Sequence, residues 1–347
     1  MITKTAEELQ VFGERALMAA GADRENAEIT TEHLVRASLS GVDSHGIQHL
    51  PGYVDDIKKG WIAPKAKPAI LKETPNSALV TGHWTFGQVA AKWTMEVGIR
   101  KAKQHDVAVL GLVQCHHIGR LGHFVEIAAA EGMASWVWSG GFAEKAPATA
   151  PYGGRKPVLH TNPISYGFPT TGAPVMADFA TTNVAGMKVV VARRRHEQLP
   201  PGCVIDKHGN PTTDPEEFYD SGMHLPFGGH KGYAIMVASE FLSHILVGSE
   251  GYAEAGFDNP ILAKQGVSMF VFKADLFRPM AELLQSADEF VGRLHAVPPA
   301  PGFKEVLAPG DMESRTRAVR EREGIPMPDD ILKPLNELAA ALEIPAL

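Results

Sequence analysis

Thirty-four glycines are spread along this chain of 347 residues, and no two of them are separated by a single residue. That spacing excludes the Gly-x-Gly-x-x-Gly turn with which doubly wound α/β folds grip a dinucleotide. The exclusion matters because the chain otherwise has the texture that accompanies such a turn. From about residue 76, segments 78–81, 107–113, 134–138, 164–168, 175–179 and 267–272 read as strands. Segments 86–103, 121–131 and 232–247 read as the helices between them. Any dinucleotide bound here needs a different framework. Walker A, His-Glu-x-x-His and Gly-x-Ser-x-Gly are absent too, which argues against P-loop, zincin and α/β-hydrolase chemistry.

Both chain ends read as helical. Thr5 and Glu8 form a capping box ahead of Leu9, Phe12 and Ala16, and Gly21 stops that helix. A second helix starts at Asp23 and ends near Ser38; a third carries Ile47, Leu50, Val54 and Ile57. The stretch from Asp311 is helical and charged again. The expected architecture is an α/β body flanked by helices from both ends.

A net charge of −7, spread along the chain, argues against a nucleic-acid surface. The one basic run, Arg193-Arg194-Arg195, reads as a solvated turn or as a partner for a cofactor phosphate. Two cysteines are too few for a disulfide framework. With no signal-peptide core and no membrane-length apolar run, a cytoplasmic location is expected.

Chemistry is concentrated in polar turns. Ser44-His45-Gly46 pairs a hydroxyl with a group that titrates near neutrality, although it also reads as a helix cap. His116-His117-Ile118-Gly119 leads into a helix whose free N–H groups suit a phosphate or carboxylate. A metal pair or two structural histidines are the alternatives, and no carboxylate sits at helical spacing to complete a metal site. Gly229-His230-Lys231-Gly232 resembles a phosphate-gripping turn and could equally be structural. Thr161-Asn162-Pro163 suits a substrate carboxylate or a carboxamide, and Asp178 reads as a helix N-cap that also faces a ligand.

In this order the clusters resemble the malate/L-lactate dehydrogenase family that lacks the Rossmann fold. Its members include sulfolactate and ureidoglycolate dehydrogenases, 2,3-diketogulonate reductase and Δ1-piperideine-2-carboxylate reductase. Further anchors are Gln88-Val89-Ala90-Ala91-Lys92, Pro211-Thr212-Thr213-Asp214-Pro215, Lys231-Gly232-Tyr233 and Ala300-Pro301-Gly302-Phe303. The resemblance implies a non-Rossmann NAD(P)-binding α/β fold with a largely antiparallel sheet. It divides the chain into a helical domain (1–75 plus 311–347) and a cofactor-binding domain (76–310), in a homodimer. NAD or NADP and a small 2-oxo or 2-hydroxy acid are the implied ligands, without a metal.

Carried over by position, His45, Ser44 and His117 are catalytic, and His49, Thr161 and Lys188 face the substrate. His117, Ile118, Gly119, Arg120 and Leu121 contact the cofactor, as do Asp178, Phe179, Ala180, His230, Lys231, Pro309, Gly310 and Asp311. Three positions depart from the family pattern: His49 stands where an arginine is usual, His160 where a glycine is usual, and Lys188 where the piperideine-carboxylate reductases have an aspartate. The first bears on which acid is bound, and the last counts against the alternative of a cyclic 2-imino acid reductase. In the implied reaction hydride moves between nicotinamide C4 and substrate C2, His45 handles the proton, and Thr161 and His49 hold the carboxylate.

Overall fold

The computed structural model describes residues 2–141, 148–254 and 257–347. The chain opens with strand β1 (Ile2–Lys4) and helices α1 (Ala6–Ala19), α2 (Arg24–Leu39) and α3 (Leu50–Lys58). The expected capping box starts α1: the Glu8 N–H donates to Thr5 Oγ1 (3.1 Å) and the Thr5 N–H to Glu8 Oε2 (2.8 Å). Asp23 caps α2 through the Asn26 N–H. Ile47, expected within the third helix, lies instead in a single 3-10 turn, Ile47–His49, that follows another at Asp43–His45.

The body continues with β2 (Ala69–Thr74), β3 (Ser77–Thr81), α4 (Gly87–His105), β4 (Val107–Val113), α5 (Gly122–Ala130), β5 (Met133–Gly140), β6 (Ile164–Phe168) and β7 (Val175–Phe179). Helix α6 (Gly186–Arg195) leads to a small sheet made of β8 (Val204–Ile205), β9 (Pro211–Thr212) and β10 (Met223–His224), with α7 (Pro215–Tyr219) inserted. After α8 (His230–Glu240) come β11 (Gly266–Lys273), α9 (Met280–His295), α10 (Asp311–Glu323), β12 (Ile325–Met327) and α11 (Asp329–Ala341). The helix expected over 232–247 starts two residues earlier and passes into a π turn at Phe241–Ile245.

Seven strands form the main sheet in the order β2-β3-β4-β11-β5-β6-β7, and only β3 and β4 run parallel. The period-two rule is visible along β4. Ala108, Leu110 and Leu112 are at most 1% exposed, whereas Val107 and Val109 are 37% and 38% exposed. The buried face meets α4 and α5, with Met95, Phe124 and Val125 in the shared core. A second core joins the chain ends: Leu9, Leu17 and Leu34 pack with Ile325, Leu335 and Leu338. Strands β1 and β12 pair antiparallel across this join. Among the described residues no helix is long and apolar enough to cross a membrane.

Candidate active site

A cavity of about 1250 Å³ lies where the helices of the chain ends meet the β7 edge of the sheet. The segment from Asp43 to Asp56 forms one wall, and the turn from His116 to Leu121 adjoins it. His160, Thr161, the Asp178-Phe179-Ala180 run and α6 residues including Lys188 and Arg195 supply the remainder.

Two consecutive 3-10 turns place His45 and His49 on the same wall, with ring centroids 6.0 Å apart. Gly46, extended between them, presses on α2: a Cβ there would lie 2.1 Å from Ser38 Oγ. That hydroxyl accepts the Ile47 N–H and starts the second turn. His117 completes a cluster, 5.7 Å from the His45 ring and 5.3 Å from that of His49. Its position depends on Gly87 at the start of α4, where a Cβ would come within 2.3 Å of the His117 carbonyl oxygen.

The hydrogen bonds assign each ring a role. Ser44 Oγ lies 3.0 Å from His45 Nδ1. His49 Nε2 lies 2.6 Å from the Ser44 carbonyl oxygen and must donate to it. Gln88 Nε2 donates to Tyr53 Oη at 2.7 Å, and Tyr53 Oη lies 2.8 Å from His117 Nδ1. Burial pushes the Tyr53 phenol up, beyond the ordinary range, so it keeps its hydrogen. With Gln88 as its donor, Tyr53 satisfies that hydrogen by giving it to His117 Nδ1, which leaves His117 Nε2 protonated. Loss of water pulls His45 down to about 4, reinforced by His49 and Arg120. The same loss of water holds His49 and His117 below the usual imidazole range. At neutral pH the cluster is therefore uncharged, and His45 can accept a proton.

The adjoining wall is ionic. Arg120 is 2% exposed and donates from Nη2 to Glu126 Oε1 at 2.9 Å. Its Nε and Nη1 have no partner among the described residues. Asp178 accepts the Gly122 N–H at 2.7 Å. Burial raises its carboxyl to about 6, against the charge of Arg120. Asp178 is thus a cap, but for α5 from the adjoining edge strand β7 rather than for a helix following it in sequence. The α5 N-terminus expected to offer free N–H groups is already met by this carboxyl.

The cavity brings together Ser44, His45, His49, His117, Ile118, Gly119, Arg120, Leu121, Thr161, Asp178, Phe179, Ala180 and Lys188. His230 and Lys231 are not brought to it; they are exposed at the start of α8. Pro309, Gly310 and Asp311 also lie outside, against β7 and at the start of α10. There the Met176 N–H donates to the Pro309 carbonyl, and Asp311 binds His295 and the Ala308 N–H. Arg193 and Arg194 are exposed on α6, where Arg193 pairs with Glu216, so the basic run ends a helix rather than forming a turn. Sequence reasoning gave no site role to Tyr53 or Gln88. Tyr53 had a signal, because His45, His49 and Tyr53 recur every four residues; Gln88 had only its place in the Gln88-Val89-Ala90-Ala91-Lys92 anchor, which says nothing of a partner.

A model described as malate/L-lactate dehydrogenase matches residues 5–336. The chain is a member of the malate/L-lactate dehydrogenase family. The resemblance read from the ordered motifs is therefore borne out, and the protein is an oxidoreductase, in coarse terms a 2-hydroxy acid dehydrogenase. It is 37% identical to a malate/(S)-sulfolactate dehydrogenase of Methanothermus fervidus, over 95% of each chain. Among solved structures it is similar to sulfolactate dehydrogenase from Methanocaldococcus jannaschii, with TM-score 0.88 and 32% identity over 99% of this chain and 98% of that one. It is also similar to Δ1-piperideine-2-carboxylate reductase from Pseudomonas syringae, with TM-score 0.86 and 30% identity over 98% and 100%. The mixed α/β fold, with its largely antiparallel sheet between Ala69 and Lys273, matches these dehydrogenase structures over nearly the whole chain.

Proposed function

We propose that this enzyme interconverts a small 2-hydroxy acid and its 2-oxo acid using NAD or NADP, with His45 as the proton-transfer group. The supporting observation is a neutral histidine, beside a hydroxyl, on the wall of a cavity that also holds a buried, incompletely paired arginine. The cavity exceeds the roughly 300–1,000 Å³ of ordinary small-molecule sites, leaving room for a cofactor and a small acid together. His117, Ile118, Gly119, Arg120 and Leu121, with Asp178, Phe179 and Ala180, are the residues suited to hold the cofactor. The unpartnered Nε and Nη1 of Arg120 match an anionic group there. The largely antiparallel sheet and the missing Gly-x-Gly support a framework other than the Rossmann turn.

A nicotinamide held by these residues would supply the hydride chemistry at substrate C2. In oxidation His45 takes the hydroxyl proton; in reduction it returns one to the forming alkoxide, and Ser44 orients the ring. Thr161 and Lys188 suit the substrate carboxylate, because the one hydrogen of His49 is held by the Ser44 carbonyl. A panel of lactate, malate and longer 2-hydroxy acids, run with NAD+ and with NADP+, tests the reading; no turnover with any pair overturns it.

The likeness to a piperideine-carboxylate reductase supports one alternative, reduction of cyclic 2-imino acids. Assay of Δ1-piperideine-2-carboxylate beside the matching 2-oxo acids separates the two. A cytoplasmic homodimer is part of the same proposal. The open apolar groove of Val107, Trp136, Trp138 and Phe270 supports the dimer, and the two buried free cysteines support the location. Light scattering tests the dimer.

A further inference from the structure

The ring of His49 is fixed at one nitrogen only. A carbonyl oxygen can only accept, so the 2.6 Å contact with Ser44 puts the hydrogen on Nε2. Loss of water keeps the ring neutral, outweighing the pull of the Ser44 carbonyl. A neutral imidazole protonated at Nε2 carries a bare lone pair on Nδ1. Among the described residues no hydrogen bond reaches that nitrogen, and His49 lines the cavity. The three clustered rings therefore offer different groups: His45 an exchangeable proton, His117 a donor held by Tyr53, and His49 an acceptor.

We infer that His49 selects the substrate by accepting a hydrogen bond from the end remote from its carboxylate. The cavity then favours 2-hydroxy acids ending in a neutral donor, such as an amide or a hydroxyl, over those ending in a second acid group. This inference rests on the 2-hydroxy acid reading above. A carboxylate at Nδ1 sets lone pair against lone pair unless the ring gains a proton that its burial disfavours. An amide of the same size donates to Nδ1 directly. Sites that hydrogen-bond a substrate group discriminate strongly against analogues lacking it, because the buried partner is left unpaired.

Malate and its 4-amide, 2-hydroxysuccinamic acid, differ only at that end. With the full chain, saturating cofactor and pH 8, kcat/KM for the amide should exceed that for malate by about tenfold or more. His49→Arg should reverse the order. If that variant does not fold, His49→Leu, which keeps bulk without an acceptor, should bring the two within about threefold. Malate ahead of its amide in the unaltered enzyme, or an unchanged ratio in a folded variant, overturns the inference alone. Turnover of neither compound, nor of lactate, overturns the 2-hydroxy acid reading and this inference with it.

Discussion

His45 is neutral across the physiological range because the cavity wall strips it of water and sets His49 and Arg120 near it. In the proposed reaction, neutral imidazole is the working form for oxidation. The kcat/KM for a hydroxy acid should therefore stay level from pH 8 down to about 5 and fall as pH approaches the His45 value of about 4. Reduction needs the protonated ring, so kcat/KM for the 2-oxo acid should decline as pH rises above that value. The 2-oxo acid should also bind with proton uptake. Steady-state profiles in both directions, with calorimetry in two buffers, check this. His45→Ala should lower turnover by roughly 10²–10⁴-fold while cofactor binding persists; near-normal turnover would remove His45 from the mechanism. Ser44 and His45 were legible because a hydroxyl and an imidazole adjoin in one turn. The role of Gln88 was not, since its tie to Tyr53 spans 35 residues and exists only once the chain has folded. The His230-Lys231 turn lies outside this cavity; glycines around a basic pair look the same in sequence whether they face a ligand or water.

The turns that carry His45 and His49 have little regular structure of their own, and neighbouring elements hold them. Ser38 of α2 starts the second turn, and Arg320 of α10 grips Asp43 beside Ser44 with two bonds of 2.6 and 3.0 Å. Arg320→Ala should lower turnover by roughly 10- to 150-fold, the equivalent of the roughly 1.5–3 kcal/mol of a charge-assisted hydrogen bond. Arg320→Lys should recover part of it, which a general loss of stability would not allow; kcat beside melting temperature distinguishes the two. Gly87→Ala drives a methyl into the His116 and His117 carbonyls. It should cost about 1–3 kcal/mol of stability, read from urea unfolding. Elements defined by local signals were legible: the α1 box lies within four residues, and β4, β6 and β7 carry continuous strand patterns. The two-residue strands β8, β9 and β10 were not, because partners elsewhere in the chain define them.

Across the whole molecule, His33, His45, His49, His117, His123, His160 and His224 all titrate below the usual imidazole range, each chiefly because burial disfavours its charge. Unfolded, they take protons near pH 6.5. Below that pH the unfolded chain binds more protons than the folded one, so their contribution is complete above about 6.5 and is lost as pH falls. Each adds at most about 1.4 kcal/mol per pH unit to the slope. Asp178, raised to about 6, acts in the opposite sense, stabilising at low pH and losing that effect as pH rises through its folded value. The urea midpoint should therefore drop steeply between pH 6.5 and 5; a flat midpoint would mean that these histidines are solvated. The α/β body with helices from both ends was legible from pattern alone, whereas the strand order was not, since β11 enters between β4 and β5. The grip of Arg320 on Asp43 joins residues 277 apart. During synthesis the turn carrying His45 therefore waits for a residue 277 positions further along the chain before that clamp can close.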